Sequence, residues 1–132
     1  MATAPIVSDE QACAEVRAVF DDIRATRGTD FVNNFWRVLA ADPRTLKRTW
    51  EEVKAVMIAP GALDPLTREM LYIAVSVTNG CGYCAHSHTA AARAKGMTAD
   101  QYGELLAIVA LAGKTNQLAD ALQVAVDPEF LA

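Results

Sequence analysis

The clearest helix signals lie in residues 64–113, which read DPLTREMLYIAVSVTNGCGYCAHSHTAAARAKGMTADQYGELLAIVALAG. Asp64 and Pro65 are typical of a helix start, because aspartate caps the first turn and proline needs no backbone donor there. The apolar run that follows predicts a helix to about Thr78. Its middle is apolar on nearly every side, so we expect other helices to surround it.

Two more helices are predicted in the same stretch. The Asn-Gly pair at residues 79–80 marks a turn, and an alanine-rich helix follows over about 81–95, with Gly96 well placed just past its end. Thr98 and Gln101 form a capping-box pattern, which predicts a helix that starts there and ends near Gly113.

The rest of the chain is also helical in pattern. A capping box at residues 8–11 predicts a first helix to Gly28, Asp30 is predicted to cap a second, and the Asp-Pro pair at 42–43 starts a third. A last helix is predicted over 115–126. Because no segment shows the alternation of a strand, we predict an all-α fold of about six to seven helices.

Composition bounds the class of protein. At 132 residues with 52% hydrophobic side chains, the chain can form one well-packed domain, so we predict a single domain over residues 1–132. The net charge of −4 and the scattered basic residues argue against nucleic-acid binding. No apolar run is long enough for a membrane span, and residues 1–10 lack a secretory signal pattern, so a cytoplasmic location is predicted.

Four residues carry candidate chemistry. Cys81 and Cys84 are separated by two residues at a predicted helix start, where a thiolate gains from unpaired N–H groups and the helix dipole. His88 lies one helical turn after Cys84 and can accept its proton. Glu69 is expected on a buried helix face, where a carboxylate needs a partner, and a proton relay through the histidine would supply one.

Other interpretations of the motif stay open. Cys81, Cys84, His86 and His88 are four possible zinc ligands, although structural zinc sites usually draw ligands from two separated segments. A thioredoxin-like fold is disfavoured because no βαβ pattern precedes the motif. His86 lies on another helix face and is interpreted as a polar surface residue.

Glu69 and Cys13 also have simpler interpretations. Glu69 can pair with an arginine such as Arg68 or Arg93, although the cysteine motif favours the relay. Cys13 lies beside the apolar stripe of the first predicted helix, and we expect it to be a small buried side chain.

Glu69, Cys81, Cys84 and His88 fall at the spacing of the alkylhydroperoxidase AhpD-like family, within the carboxymuconolactone decarboxylase superfamily. The resemblance covers about residues 64–113. It implies that Cys84 is the peroxide-attacking thiolate, that Cys81 is the resolving thiol, and that Glu69 and His88 relay the proton of Cys84.

The resemblance also implies a function and partners. It implies a thiol-dependent peroxidase acting on hydroperoxides, or a disulfide oxidoreductase, with no cofactor and no metal. The expected partners are an external dithiol reductant, such as a lipoyl-bearing protein, and further copies of the chain, a hexamer being favoured over a trimer. Tyr83 stands where the best-known member has a second histidine, so it is at most an accessory residue and turnover is expected to be slower.

Two alternative functions are kept. The superfamily is named for a lactone decarboxylase, whose chemistry does not need the cysteine pair. The chain can also be a zinc-binding or redox-sensing protein without turnover.

Overall fold

The computed structural model describes residues 3–131. These residues form six α-helices and include no strand, which confirms the predicted all-α class. The chain divides into two compact units, the first ending at Pro60 and the second beginning at Gly61. One domain over residues 1–132 therefore stays a prediction.

The first unit contains three helices around an aromatic core. Its helices are α1 (Ala14–Arg27), α2 (Asn34–Leu39) and α3 (Pro43–Val53), followed by a π-helical turn (Lys54–Ile58). Asp42 caps α3 as predicted, its carboxylate accepting the N–H of Arg44 at 3.2 Å. Phe20, Trp36 and Trp50 are almost fully buried, and α1 and α2 both pack against α3.

The predicted start of the first helix is wrong. Ser8 and Gln11 do exchange the two hydrogen bonds of a capping box, at 3.0 and 3.4 Å, but they close a separate turn. Cys13 is extended, with ψ of 169°, so α1 begins only at Ala14. The side chain of Cys13 is exposed, because it precedes the helix instead of facing its packed side, and the prediction that it is buried is also wrong.

The predicted cap of the second helix is wrong as well. Asn33, and not Asp30, precedes the first turn of α2. The carbonyl of Asp30 accepts a hydrogen bond from Arg24 at 2.9 Å, which ties this residue to the end of α1 instead.

The second unit holds three helices and the candidate site. They are α4 (Pro65–Thr78), α5 (Gly82–Ala94) and α6 (Ala99–Ala121), followed by a short 3₁₀ turn (Pro128–Leu131). Asp64 caps α4, and Thr98 with Gln101 forms a complete capping box on α6, both as predicted. α4 packs against both α5 and α6 around a core that includes Ile73 and Leu105.

Two predictions for this unit are wrong. The helix does not end at Gly113, because α6 continues to Ala121. A glycine inside a helix destabilises it by only about 1 kcal/mol. The Thr115 hydroxyl donates to the carbonyl of Ala112 instead of capping a new helix. Among the described residues, α4 is not covered on every side, since Leu71 and Val75 are 52% and 59% exposed. Within residues 3–131, none of the helices combines the length and the apolar character that crossing a bilayer requires.

Candidate functional site

A tight turn between α4 and α5 places the cysteine motif. Gly80 adopts a left-handed conformation with φ of 71°, which side-chain-bearing residues rarely adopt. The chain then reverses, and the N–H of Cys81 donates to the carbonyl of Ser76 at 2.9 Å. Cys81 consequently occupies the N-cap position of α5, where the sequence placed it.

Cys81 and Cys84 are joined by a disulfide bond across the first turn of α5, with their Cα atoms 5.3 Å apart. The sulfur of Cys81 also accepts the backbone N–H of Cys84 at 3.2 Å. This N–H is one of the four at a helix start that have no partner within the helix. In the reduced protein, the same N–H would stabilise a thiolate at Cys81.

Glu69 and His88 meet across the interface of α4 and α5. Glu69 is only 7% exposed, and its Oε2 lies 2.6 Å from Nδ1 of His88. Since the carboxylate can only accept, the bond requires a proton on Nδ1 of the imidazole. Nε2 of a neutral ring then carries a lone pair on the side away from Glu69.

Lys95 completes the surroundings of the Glu69 carboxylate. Its Nζ donates to Oε1 at 3.1 Å, so each carboxylate oxygen has one partner. Burial by itself raises the pKa of Glu69, but the hydrogen bonds and charges of His88 and Lys95 outweigh burial and leave this pKa below its usual value. Glu69 is therefore ionised at neutral pH.

The predicted arginine partners of Glu69 lie elsewhere. Arg68 donates its Nε to the carbonyl of Leu63 at 3.0 Å, and the guanidinium of Arg93 lies 5.4 Å from the ring centre of Tyr102. The cation at the acid is Lys95, which the sequence interpretation missed.

Tyr72 is a second residue that sequence reasoning missed. Its ring stacks on the imidazole of His88, with centroids 3.6 Å apart and an interplanar angle of 20°. Both missed residues carried a spacing signal. Tyr72 follows Glu69 by three residues and Lys95 follows His88 by seven, so each lies on the same helix face as a residue already chosen.

The structure does not join the imidazole directly to the sulfur. Among residues 3–131, the ring of His88 hydrogen-bonds to Glu69, and no hydrogen bond links it to Cys84. His88 lies one turn after Cys84 on α5, so both share one side of the helix. Tyr83 is 46% exposed beside the pair.

The alternative zinc site has no assembled set of ligands. The two cysteine sulfurs are bonded to each other, and Nδ1 of His86 lies 2.8 Å from the carbonyl oxygen of Gly82. Within the described part of the chain, no three histidine, cysteine, aspartate or glutamate side chains cluster as a metal site would require.

Comparison with known proteins shows the family of this chain. The sequence model of the carboxymuconolactone decarboxylase family matches residues 44–127. The chain belongs to this family. Alkyl hydroperoxide reductase AhpD from Solibacter usitatus (strain Ellin6076) is 38% identical to it over 72 residues. That match covers 54% of this chain but only 39% of the relative, so the chain corresponds to well under half of that protein.

A solved structure extends the likeness to the whole chain. The crystal structure of the alkylhydroperoxidase AhpD core from Rhodospirillum rubrum ATCC 11170 is similar to it with a TM-score of 0.97 and 64% sequence identity. The alignment covers 100% of this chain and 98% of that one. The resemblance to the AhpD-like branch, first drawn from the spacing of the cysteine motif, is thus confirmed, as is the AhpD-like fold.

Proposed function

We propose that this chain is a thiol-dependent peroxidase that reduces hydroperoxides through Cys84 and Cys81. The observation that carries the proposal is the disulfide at the start of α5, one turn before an imidazole held by a buried carboxylate. Two similar proteins bear names that state alkyl hydroperoxide chemistry.

The relay begins at Nε2 of His88. Because Nδ1–H is engaged with Glu69, Nε2 can accept the thiol proton of reduced Cys84, directly or through one water molecule. The lowered pKa of Glu69 makes it a poor final acceptor of that proton. Its role is to hold the imidazole in the right tautomer and to stabilise the imidazolium cation that forms.

The proposed cycle then has three steps. The Cys84 thiolate attacks the peroxide O–O bond, which breaks to give a Cys84 sulfenic acid and an alcohol that takes its proton from His88. The Cys81 thiol condenses with the sulfenic acid, forming the disulfide and releasing water. An external dithiol, such as the lipoyl group of a partner protein, reduces the disulfide by exchange and becomes a disulfide itself.

The local geometry supports a proposal in which the two sulfurs have different roles. The imidazole lies one turn from Cys84, whereas the helix-end N–H points at Cys81. We assign attack to Cys84 because a base is available to it. Stabilisation of a thiolate at Cys81 makes this sulfur the better leaving group when the external dithiol attacks Cys84. Tyr83, exposed beside the pair, is proposed as an accessory hydrogen-bond donor.

The proposal is tested by thiol titration before and after stoichiometric peroxide, with mass spectrometry of the peptide that spans Cys81 and Cys84. Two thiols should disappear there. Cys84→Ser should abolish peroxide consumption, and Cys81→Ser should leave a sulfenic acid that dimedone traps. Cys13→Ser is the matched control and should retain activity. Full activity of Cys84→Ser would contradict the assigned roles.

The family model also supports a second candidate, lactone decarboxylation. Such chemistry does not use the cysteine pair, so a decarboxylase should survive alkylation with iodoacetamide, whereas the peroxidase should not. Oxidation of the pair without repeated turnover in the presence of a dithiol would instead indicate a redox sensor.

We further propose that the chain works as a cytoplasmic homo-oligomer, and we favour a hexamer over a trimer. Support comes from large apolar side chains that are at least half exposed on α4 and α6: Leu71, Val75, Ile108, Leu111 and Leu118. Patches of this kind usually mark interfaces. Native mass spectrometry gives the subunit number directly.

A further inference from the structure

Lys95 contacts the candidate relay from the C-terminal end of α5. It is the C-cap residue, and its backbone N–H is held by carbonyls of the last turn. Its Nζ lies 3.1 Å from Oε1 of Glu69, while Oε2 of the same carboxylate binds His88. The lysine side chain is 39% exposed, but the glutamate side chain only 9%.

We propose that Lys95 is a positioning residue that keeps Glu69 in its carboxylate form and thereby keeps Nε2 of His88 free to take the proton of Cys84. This inference rests on the proposed function, whose relay it completes.

Whether Nε2 of His88 can act as a base depends on the protonation state of Glu69. A buried glutamic acid favours its neutral form, because burial penalises the charge. A neutral Glu69 would donate its O–H to Nδ1 of His88, and the ring proton would then reside on Nε2. That tautomer has no lone pair on Nε2, so this nitrogen cannot accept a proton. The ammonium of Lys95 opposes this outcome by stabilising the carboxylate.

Glu69 has few alternatives to Lys95. Within residues 3–131, its ion-pair partners are His88 and Lys95, both contributed by α5 and its C-cap, and no charged side chain of α6 pairs with it. Exposed ion pairs usually contribute little to stability. Here one partner is almost completely buried, so water screens the attraction between the two charges less.

The direction of the effect follows from charge alone. Removing the positive charge of Lys95 favours the protonated form of Glu69, and with it the form of His88 that cannot take the proton of Cys84. In Lys95→Met, we expect the pH profile of Cys84 reactivity to move upward by about 0.5 to 1 pH unit. On the acidic side of the profile, this shift is roughly a three- to tenfold loss of rate.

The test uses the reduced protein and no peroxide. In a Cys13→Ser, Cys81→Ser background, the rate of alkylation of Cys84 by iodoacetamide is measured against pH. Lys95→Met should shift the profile, Lys95→Arg should shift it less because it keeps the charge, and Lys114→Met, at an exposed lysine of α6, should leave it unchanged. Circular dichroism confirms that each variant is folded.

A second measurement reports the tautomer directly. Nitrogen-15 NMR of the His88 ring in the oxidised protein at neutral pH should show protonated Nδ1 in the parent, and a larger share of protonated Nε2 in Lys95→Met. The ring nitrogen shifts do not depend on the alkylation chemistry.

The outcomes separate the two proposals. If Glu69→Gln shifts the alkylation profile but Lys95→Met does not, the inference about Lys95 is overturned and the relay stands. Equal shifts in Lys95→Met and Lys95→Arg also overturn it, because charge would not be the cause. If neither Glu69→Gln nor His88→Gln moves the profile, the relay itself is absent and the proposed mechanism fails.

Discussion

Replacing Glu69 by glutamine should remove a large and pH-dependent part of the stability of the second unit. The carboxylate binds His88 at 2.6 Å and Lys95 at 3.1 Å. A hydrogen bond to a charged group contributes about 1.5–3 kcal/mol, and the Lys95 contact about 0–1 kcal/mol because the ammonium is partly exposed. Glutamine keeps one neutral hydrogen bond, so we expect Glu69→Gln to lower the free energy of unfolding by about 2 kcal/mol at neutral pH.

The pH dependence identifies the cause. The folded-state pKa of Glu69 lies below its usual value of 4.5, because the bonds to His88 and Lys95 outweigh burial. Its contribution is therefore fully present above that value and is lost as the pH falls through the folded-state pKa. The difference between wild type and Glu69→Gln should thus stay constant from neutral pH down to about 4.5 and shrink only below that value.

Urea unfolding of the oxidised protein, followed by circular dichroism across this pH range, measures the difference. Glu104→Gln is the matched control, since Glu104 is exposed on α6 and its replacement should change stability by no more than about 0.5 kcal/mol. A loss in Glu69→Gln that is independent of pH, or no larger than that in Glu104→Gln, would refute the charge argument.

Three further substitutions test local features. Gly113→Ala should raise the free energy of unfolding by about 0.5–1 kcal/mol, because the glycine lies inside α6 with open space around it; a fall in melting temperature would contradict this. Gly80→Ala should lower the free energy of unfolding by about 1 kcal/mol, because the φ angle of Gly80 is 71°, and Gly80→Asn should have an intermediate effect. Equal melting temperatures of the three proteins would show that the turn tolerates any residue. Tyr72→Ala should remove a ring stack worth about 0.5–1.5 kcal/mol and slow alkylation of reduced Cys84, while Tyr72→Phe keeps both; identical rates in the two variants would exclude a role for the stack.

Helix starts were predicted best where a side chain and its backbone partner lie within one turn. Asp64 with Pro65, and Thr98 with Gln101, begin α4 and α6 as expected. Ser8 and Gln11 show the limit of this reasoning, because the same two bonds form without a helix behind them. A capping box predicts a local turn, and whether a helix continues from it depends on the residues that follow.

The end of α6 shows a different limit. Gly113 was interpreted as a stop, but the backbone preference of one glycine is about 1 kcal/mol. Such a preference is overridden when the residues on both sides continue to form helical hydrogen bonds, as they do to Ala121. The exposed apolar face of α4 was mispredicted for a related reason, because hydrophobic character indicates that a side chain can be buried but not what covers it.

For the candidate site, the cysteine pair at a helix start and the buried acid were predicted from the sequence pattern alone. Of the two partners of that acid, only His88 was predicted. Glu69 and His88 lie on two different helices, and they were expected to meet because a buried carboxylate needs a partner, an expectation that the family spacing supported. Lys95 was overlooked in favour of two arginines, although all three are basic residues of the same region.

Residue type and short-range spacing were enough to place the cysteine pair on the first turn of α5, because capping and helix-end effects act within a few residues. The pairing of α4 with α5 was needed to bring an ammonium and a tyrosine ring to the Glu69–His88 pair. Water screens the interactions of a buried charge only weakly, so such a charge needs a partner close by. Which side chain becomes that partner depends on which helix faces pack together.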